Sequence, residues 1–92
     1  MRIRWTPPAV RDFNHIWDYT EKHFGADAAQ SLAVQIHGAI GNLVKFPQIG
    51  RPGRKPGTRE LVFTGTPFLA IYRMREETSE LLRILHGAQK WP

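Results

Sequence analysis

Apolar residues recur along this chain at two different periods. Between residues 9 and 24 the apolar positions Val10, Phe13, Ile16, Trp17 and Phe24 return at three- and four-residue steps, which is one stripe of an amphipathic helix. Thr6 followed by Pro7 and Pro8 is a start signal: the hydroxyl can cap an orphan N–H, and proline has no N–H to leave unpaired in the first turn. Gly25 stops this helix. A second helix is predicted over residues 27–46, burying Leu32, Ala33, Ile36, Ala39, Ile40 and Leu43. Asp27 and Lys45 sit at the dipole ends that favour them, and Pro47 terminates the run. Gly38 and Gly41 each cost roughly 1 kcal/mol against alanine in a helix interior. The expected return is close approach to the first helix or to a sheet.

Elsewhere the period falls to two. Residues 2–5 alternate, with Ile3 and Trp5 inward, as a short edge strand. Residues 58–63, 68–75 and 79–85 are rich in β-branched, aromatic and leucine side chains and are separated by turns at 64–67 and 76–78. Such short connections predict consecutive antiparallel pairing. Phe68, Ala70, Tyr72 and Met74 then share one face, with Leu69, Ile71, Arg73 and Arg75 on the other. In the last strand Leu81, Arg83 and Leu85 oppose Leu82, Ile84 and His86. Apolar residues on both faces place these two strands centrally, at least partly covered on each side. The expected architecture is α+β in the order β-α-α-β-β-β: an antiparallel sheet with a two-helix hairpin packed on one face, residues 1–92 forming one domain.

Composition narrows the function. An apolar share of 41% with 23% charged residues excludes a disordered chain. The absence of cysteine removes disulfides, thiolate zinc sites and thiol nucleophiles. No membrane-length apolar run occurs, and Met1 leads into a strand rather than a signal peptide, so a cytoplasmic protein is expected. The net charge of +5 is uneven, with +1 in residues 1–46 and +4 in residues 47–92. A positive surface in the second half would attract a polyanion or an acidic protein partner, or serve only solubility.

Candidate chemistry is sparse. Of the four histidines, His15, His23 and His37 lie on helices without metal-binding spacing, and no metal or cofactor is expected. His86 sits at a strand end beside Gly87, where function often collects, although a structural histidine is the first reading of such a residue. Residues 50–57 neither follow a strand nor open a helix, so they form no nucleotide-binding loop. They present Arg51, Arg54 and Lys55 outward, as a phosphate contact or a solvated connector. If Arg73, Arg75 and Arg83 share the face away from the helices with Arg2 and Arg4, they form a positive floor able to hold RNA backbone or a partner's carboxylates. The competing reading pairs Arg59, Arg73 and Arg83 locally with Glu60, Glu76 and Glu80, at about 0.2–1 kcal/mol each.

The first strand ending at Trp5-Thr6 and the hairpin closing on Leu43, Phe46 and Pro47 form part of a longer pattern. It continues through Gly50-Arg51-Pro52-Gly53, Thr58-Arg59-Glu60-Leu61, the Phe68 to Tyr72-Arg73 strand, and Leu82-Arg83-Ile84-Leu85-His86-Gly87-Ala88. In order and spacing the chain resembles the ParE/RelE superfamily of bacterial type II toxins, known for plasmid stabilisation. The resemblance implies a toxin neutralised by, and forming a hetero-oligomer with, a small cognate antitoxin whose flexible C-terminal part wraps it. A basic sheet face suits an acidic amphipathic segment, with Leu69 and Ile71 as anchors.

Two mechanisms divide that superfamily. RelE-like members cut mRNA in the ribosome and commonly carry an arginine three positions before the strand tyrosine; here Leu69 precedes Tyr72 by three. A metal-independent endoribonuclease would have to use Glu60, Arg83, His86 and Lys90. ParE-like members, which this chain resembles more in its Gly-Arg-Pro-Gly loop and Leu-His-Gly-Ala ending, poison DNA gyrase without catalysis. The expectation is therefore a gyrase-binding toxin, with the ribosome and mRNA as alternative targets and a non-toxic interaction module of the same fold as a third reading. Its target- or antitoxin-binding residues are expected to be Arg59, Leu69, Ile71, Arg73, Arg83, His86, Lys90 and Trp91. Trp91 fits equally as a pin for the tail, and Arg83→Ala with His86→Ala is expected to reduce toxicity while keeping the fold.

Overall fold

The computed structural model describes residues 1–89 and 91; Lys90, one of the candidates, lies outside them. Strand β1, Arg2–Trp5, leads into helix α1, Pro7–Phe24, through Thr6. Thr6 takes an extended backbone and its Oγ1 accepts the Ala9 N–H at 3.4 Å, the expected cap. Gly25 closes α1 at φ 94° and opens helix α2, Ala26–Gly41, so a single residue reverses the chain. The predicted second helix is shorter than expected, because its last turn tightens into a 3-10 turn at Asn42–Val44.

Four further strands follow: β2, Arg51–Pro52; β3, Arg59–Val62; β4, Phe68–Arg75; and β5, Thr78–His86. The sheet order is β1-β5-β4-β3-β2. The last four strands pair antiparallel in sequence, as short turns dictate, whereas β1 runs parallel to β5 across the helical hairpin. The sheet is thus mixed and five-stranded, with β2 standing where only a loop was expected.

Ile36, Ile40 and Leu43 from the second helical segment pack on Ala70, Tyr72, Leu81 and Ile84 of the sheet, with Ala9, Phe13 and Ile16 of α1 beside them. Burying a side chain the size of Ile36 is worth about 1.5–3 kcal/mol. Trp5, Phe13 and His37 form an aromatic cluster that ties β1 to both helices, with ring centroids 4.9–5.8 Å apart. Val10 and Phe24, expected in the stripe, are 41% and 70% exposed. Gly38 and Gly41 also depart from expectation. A Cβ at either would meet nothing within 4 Å, so no close packing offsets their helical cost.

One irregularity redirects the site. Between β4 and β5 the register shifts, so that Tyr72 pairs with Leu81 and Ile71 with Arg83, leaving Leu82 as an extra residue. Ser79 and Leu81 before this bulge, and Ile84 after it, all lie on the helix side. Strict alternation, which put Leu81 and Ile84 on opposite faces, fails here.

Candidate target-binding face

With Ala70 and Tyr72 turned to the helices, the neighbouring β4 residues Leu69, Ile71, Arg73 and Arg75 lie on the opposite side of the sheet. The register carries that side across the strands in rows. Arg2, Thr78 and Arg75 make one row, and Arg4, Glu80 and Arg73 the next. Arg51, Glu60, Ile71 and Arg83 form another, which the Arg83 side chain leaves for Asp12 on α1, then Val62, Leu69 and Leu85. The far side is therefore cationic toward the β4–β5 turn and apolar toward the other end.

In the cationic half, Glu80 accepts from Arg73 Nε at 2.8 Å and from an Arg4 terminal nitrogen at 2.9 Å. The Arg73 hydrogen bond, reinforced by the charges of Arg73 and Arg4, holds the Glu80 carboxyl below the usual carboxylate range. Arg51 Nε meets Glu60 Oε1 at 2.9 Å. In the apolar half, Ile71 and Leu85 are only 3% and 4% exposed. Leu69, Ile71, Leu85, Glu60, His86 and Trp91 surround a shallow recess of about 50 Å³. Lys55 Nζ lies 5.9 Å from the Trp91 ring centroid, a cation–π contact joining the tail to the loop before β3.

Two of the candidate arginines are elsewhere. Arg59 lies in register with Tyr72 and donates to the carbonyls of Gly50 at 2.7 Å and Gln48 at 3.2 Å, fastening the segment that leads into β2. Arg83 turns to α1, where Nε and a terminal nitrogen reach the two oxygens of Asp12 at 2.6 and 3.0 Å. That carboxylate holds the guanidinium above its ordinary value. The positive floor thus contains Arg2, Arg4, Arg73 and Arg75 but not Arg83. Of the local pairings weighed from the sequence, only Arg73 has the expected kind of partner, in Glu80.

The turn of Arg83 follows from hydrogen-bond accounting. Strand β1 ends at Trp5, opposite Leu81, so the edge of β5 away from β4 has no strand neighbour beyond that point. Helix α1 supplies the missing partners. The Thr6 N–H and hydroxyl both donate to the Leu81 carbonyl, at 3.1 and 2.6 Å, and Asp12 Oδ2 accepts the Ile84 N–H at 2.9 Å. Asp12, unremarked in the sequence, is the hub that draws Arg83 to the helix side; a lone acid early in a helix gives no such signal.

Tyr72 is a second residue whose role the sequence did not disclose. It is fully buried, its hydroxyl donates to the Pro47 carbonyl at 2.8 Å, and that oxygen accepts the Gly50 N–H at 2.9 Å. A Cβ on Gly50 would lie 2.7 Å from the Tyr72 ring, and one on Gly53 would overlap Thr58 Oγ1. The glycines of the Gly-Arg-Pro-Gly segment let the backbone pass over these two side chains so that Arg51 and Pro52 can pair with β3. His86 is exposed; its Nδ1 accepts the Ala88 N–H at 3.1 Å and its ring stands edge-on to Phe68. A neutral ring in this arrangement carries its proton on Nε2. His86 also borders a second, larger groove of about 760 Å³ on the helix side, walled by Ile16, Tyr19, Phe24, Leu32 and Phe68. Glu60, Arg83 and His86 each have a local partner, and Arg83 is not grouped with the other two.

Residues 3–91 match the family described as "ParE toxin of type II toxin-antitoxin system, parDE". The Y4kP protein of Sinorhizobium fredii is 41% identical over 91 residues, covering 99% of this chain and 93% of its own. Among solved structures, the chromosomal ParDE toxin–antitoxin system from P. aeruginosa is similar at a TM-score of 0.85 and 30% identity, over 94% of this chain and 95% of that one. The toxin–antitoxin complex RelBE2 from Mycobacterium tuberculosis is similar at a TM-score of 0.63 and 26% identity, over 92% and 95% of the two chains.

Proposed function

Because this chain belongs to the ParE toxin family, and is thereby the toxin of a type II toxin–antitoxin module, we propose that it arrests growth by binding and poisoning DNA gyrase, without catalysis, until a cognate antitoxin covers it. The observation that carries this reading is Leu69. It holds the position where a ribosome-dependent nuclease would present an arginine, and it sits against the recess it shares with Ile71 and Leu85. An apolar side chain there can anchor a protein partner but cannot stabilise a phosphorane. Arg83, the other cation a nuclease would need, is bound to Asp12.

The docking surface in this reading is the far side of the sheet: Leu69, Trp91 and His86 at the apolar end, with the buried Ile71 as the floor beneath them, Arg73 at the cationic end, and Lys90 beside Trp91 in the sequence. The antitoxin would lay an acidic, amphipathic segment on the same surface, which fits solved relatives described as toxin–antitoxin systems. Induced expression in bacteria tests this. The reading predicts growth arrest with a DNA-damage response, relieved by a neighbouring gene encoding a small DNA-binding protein. Ribosome-dependent cuts in primer extension of translated messages, without DNA breaks, would replace it with the nuclease reading; no arrest at all would leave an interaction module.

A further inference from the structure

The formal charge of +5 is not shared evenly between the two layers. On α1, Arg11 and Lys22 stand with Asp12, Asp18 and Glu21; α2 adds Asp27, and Arg83 is engaged with Asp12. The helix layer is close to balanced. The far side of the sheet is not: Arg2, Arg4, Arg73 and Arg75 occupy its two cationic rows, and Arg51, Arg54 and Lys55 continue past the other edge. Glu80 answers Arg4 and Arg73, and Glu60 answers Arg51. Among the described residues neither Arg2 nor Arg75 has a carboxylate partner. Glu76 and Glu77 lie beyond the rows, in the turn that joins β4 to β5.

We infer that these rows hold the phosphate backbone of duplex DNA. Each row spans three strands, so its two arginines are rooted about 10 Å apart, and the rows follow one another at about 7 Å. No aromatic residue lies in either row, so there is no platform on which unpaired bases could stack, as single-strand binding requires. No apolar anchor lies there either; the apolar residues are at the opposite end, beside Trp91. An acidic peptide would therefore have charge alone to hold it, whereas a duplex backbone is bound by charge and counterion release and needs nothing more. Glu80 is the positioning residue, fixing Arg4 and Arg73 in one plane with its two oxygens. The choice of DNA over an RNA duplex rests on the gyrase reading, since gyrase acts on duplex DNA. The experiment therefore omits gyrase, so that either idea can fail without the other.

Antitoxin-free protein is titrated into a short labelled DNA duplex, followed by fluorescence anisotropy over a series of salt concentrations. The logarithm of affinity should fall against the logarithm of salt with a slope of about −2 to −4. Arg2→Gln with Arg75→Gln should weaken binding at low salt by about tenfold or more and flatten the slope by about 2. Arg11→Gln with Lys22→Gln removes the same charge from the helix layer and should change affinity by less than about twofold. Circular dichroism of both variants should match the parent. The inference is overturned by equal losses in the two variants, by tighter binding of an RNA duplex or a single strand, by equal competition from polyglutamate, or by no binding at low salt.

Discussion

Arg83→Ala separates a cation that grips a target from one that holds the toxin together. The side chain makes two charge-assisted hydrogen bonds to Asp12, whose carboxylate also receives the Ile84 N–H. Hydrogen bonds to charged groups contribute about 1.5–3 kcal/mol. Arg83 and Asp12 are 34% and 17% exposed, so solvent screening lowers the expected loss to about 1–2 kcal/mol. For a domain of this size that is a fall in Tm of about 5–15 °C. Asp12→Ala also orphans the Ile84 N–H and should cost more, about 2–3 kcal/mol. The double variant should be less destabilised than the sum of the singles, with a coupling of about 1–2 kcal/mol. Urea and thermal unfolding by circular dichroism measure these values, and growth of induced cells measures toxicity. Stability and toxicity should fall together in both singles, with partial recovery of each in Arg83→Lys. If Arg83→Ala abolishes toxicity at an unchanged Tm while Asp12→Ala stays fully toxic, Arg83 meets the target directly and the reasoning is refuted. The fold-preserving outcome expected of Arg83→Ala with His86→Ala from the sequence does not follow from this geometry.

Two further outcomes test how the sheet is held. Tyr72→Phe removes one oxygen and leaves the Pro47 carbonyl and Gly50 N–H without their partner, so it should cost about 1–3 kcal/mol and speed amide exchange at Gly50; a loss below about 0.5 kcal/mol would contradict the buried role. The Glu80 carboxyl is held below its ordinary value of 4.5 in the folded protein, so its stabilising effect is present above that value and is lost as pH falls through the folded-state value. Glu80→Gln should therefore be less stable than the parent at neutral pH and converge with it in acid, as urea midpoints across a pH series would reveal; a difference that persists in acid would mean another group carries it.

Much of the fold is legible because local signals agree with tertiary packing. Thr6, Pro7 and Gly25 bound the first helix, Ile36, Ile40 and Leu43 mark the buried face of the second, and strand β4 begins and ends where its alternation does. What escaped depends on long-range pairing. Nothing in Arg2–Trp5 tells that it lies parallel to the last strand, and a two-residue strand at Arg51–Pro52 is too short to carry a period. The extra Leu82 leaves no mark in the sequence, yet it decides which face Leu81, Arg83 and Ile84 present. The candidate face suffered accordingly. Arg73, Leu69 and Ile71 were placed correctly on the far side of the sheet, because no bulge interrupts β4 itself. The partners of Arg83 and Arg59, a helix carboxylate and two loop carbonyls, are remote in sequence, and no local pattern signals them.

A gyrase poison that works by contact alone traps gyrase on cleaved DNA. The direct measurement is the amount of linear DNA released when purified gyrase acts on supercoiled plasmid with increasing antitoxin-free protein. Trapped double-strand breaks should accumulate with dose, disappear when antitoxin is added first, and decline in the Arg2→Gln, Arg75→Gln variant. No linear DNA at any dose, together with message cut on translating ribosomes, would contradict the gyrase reading.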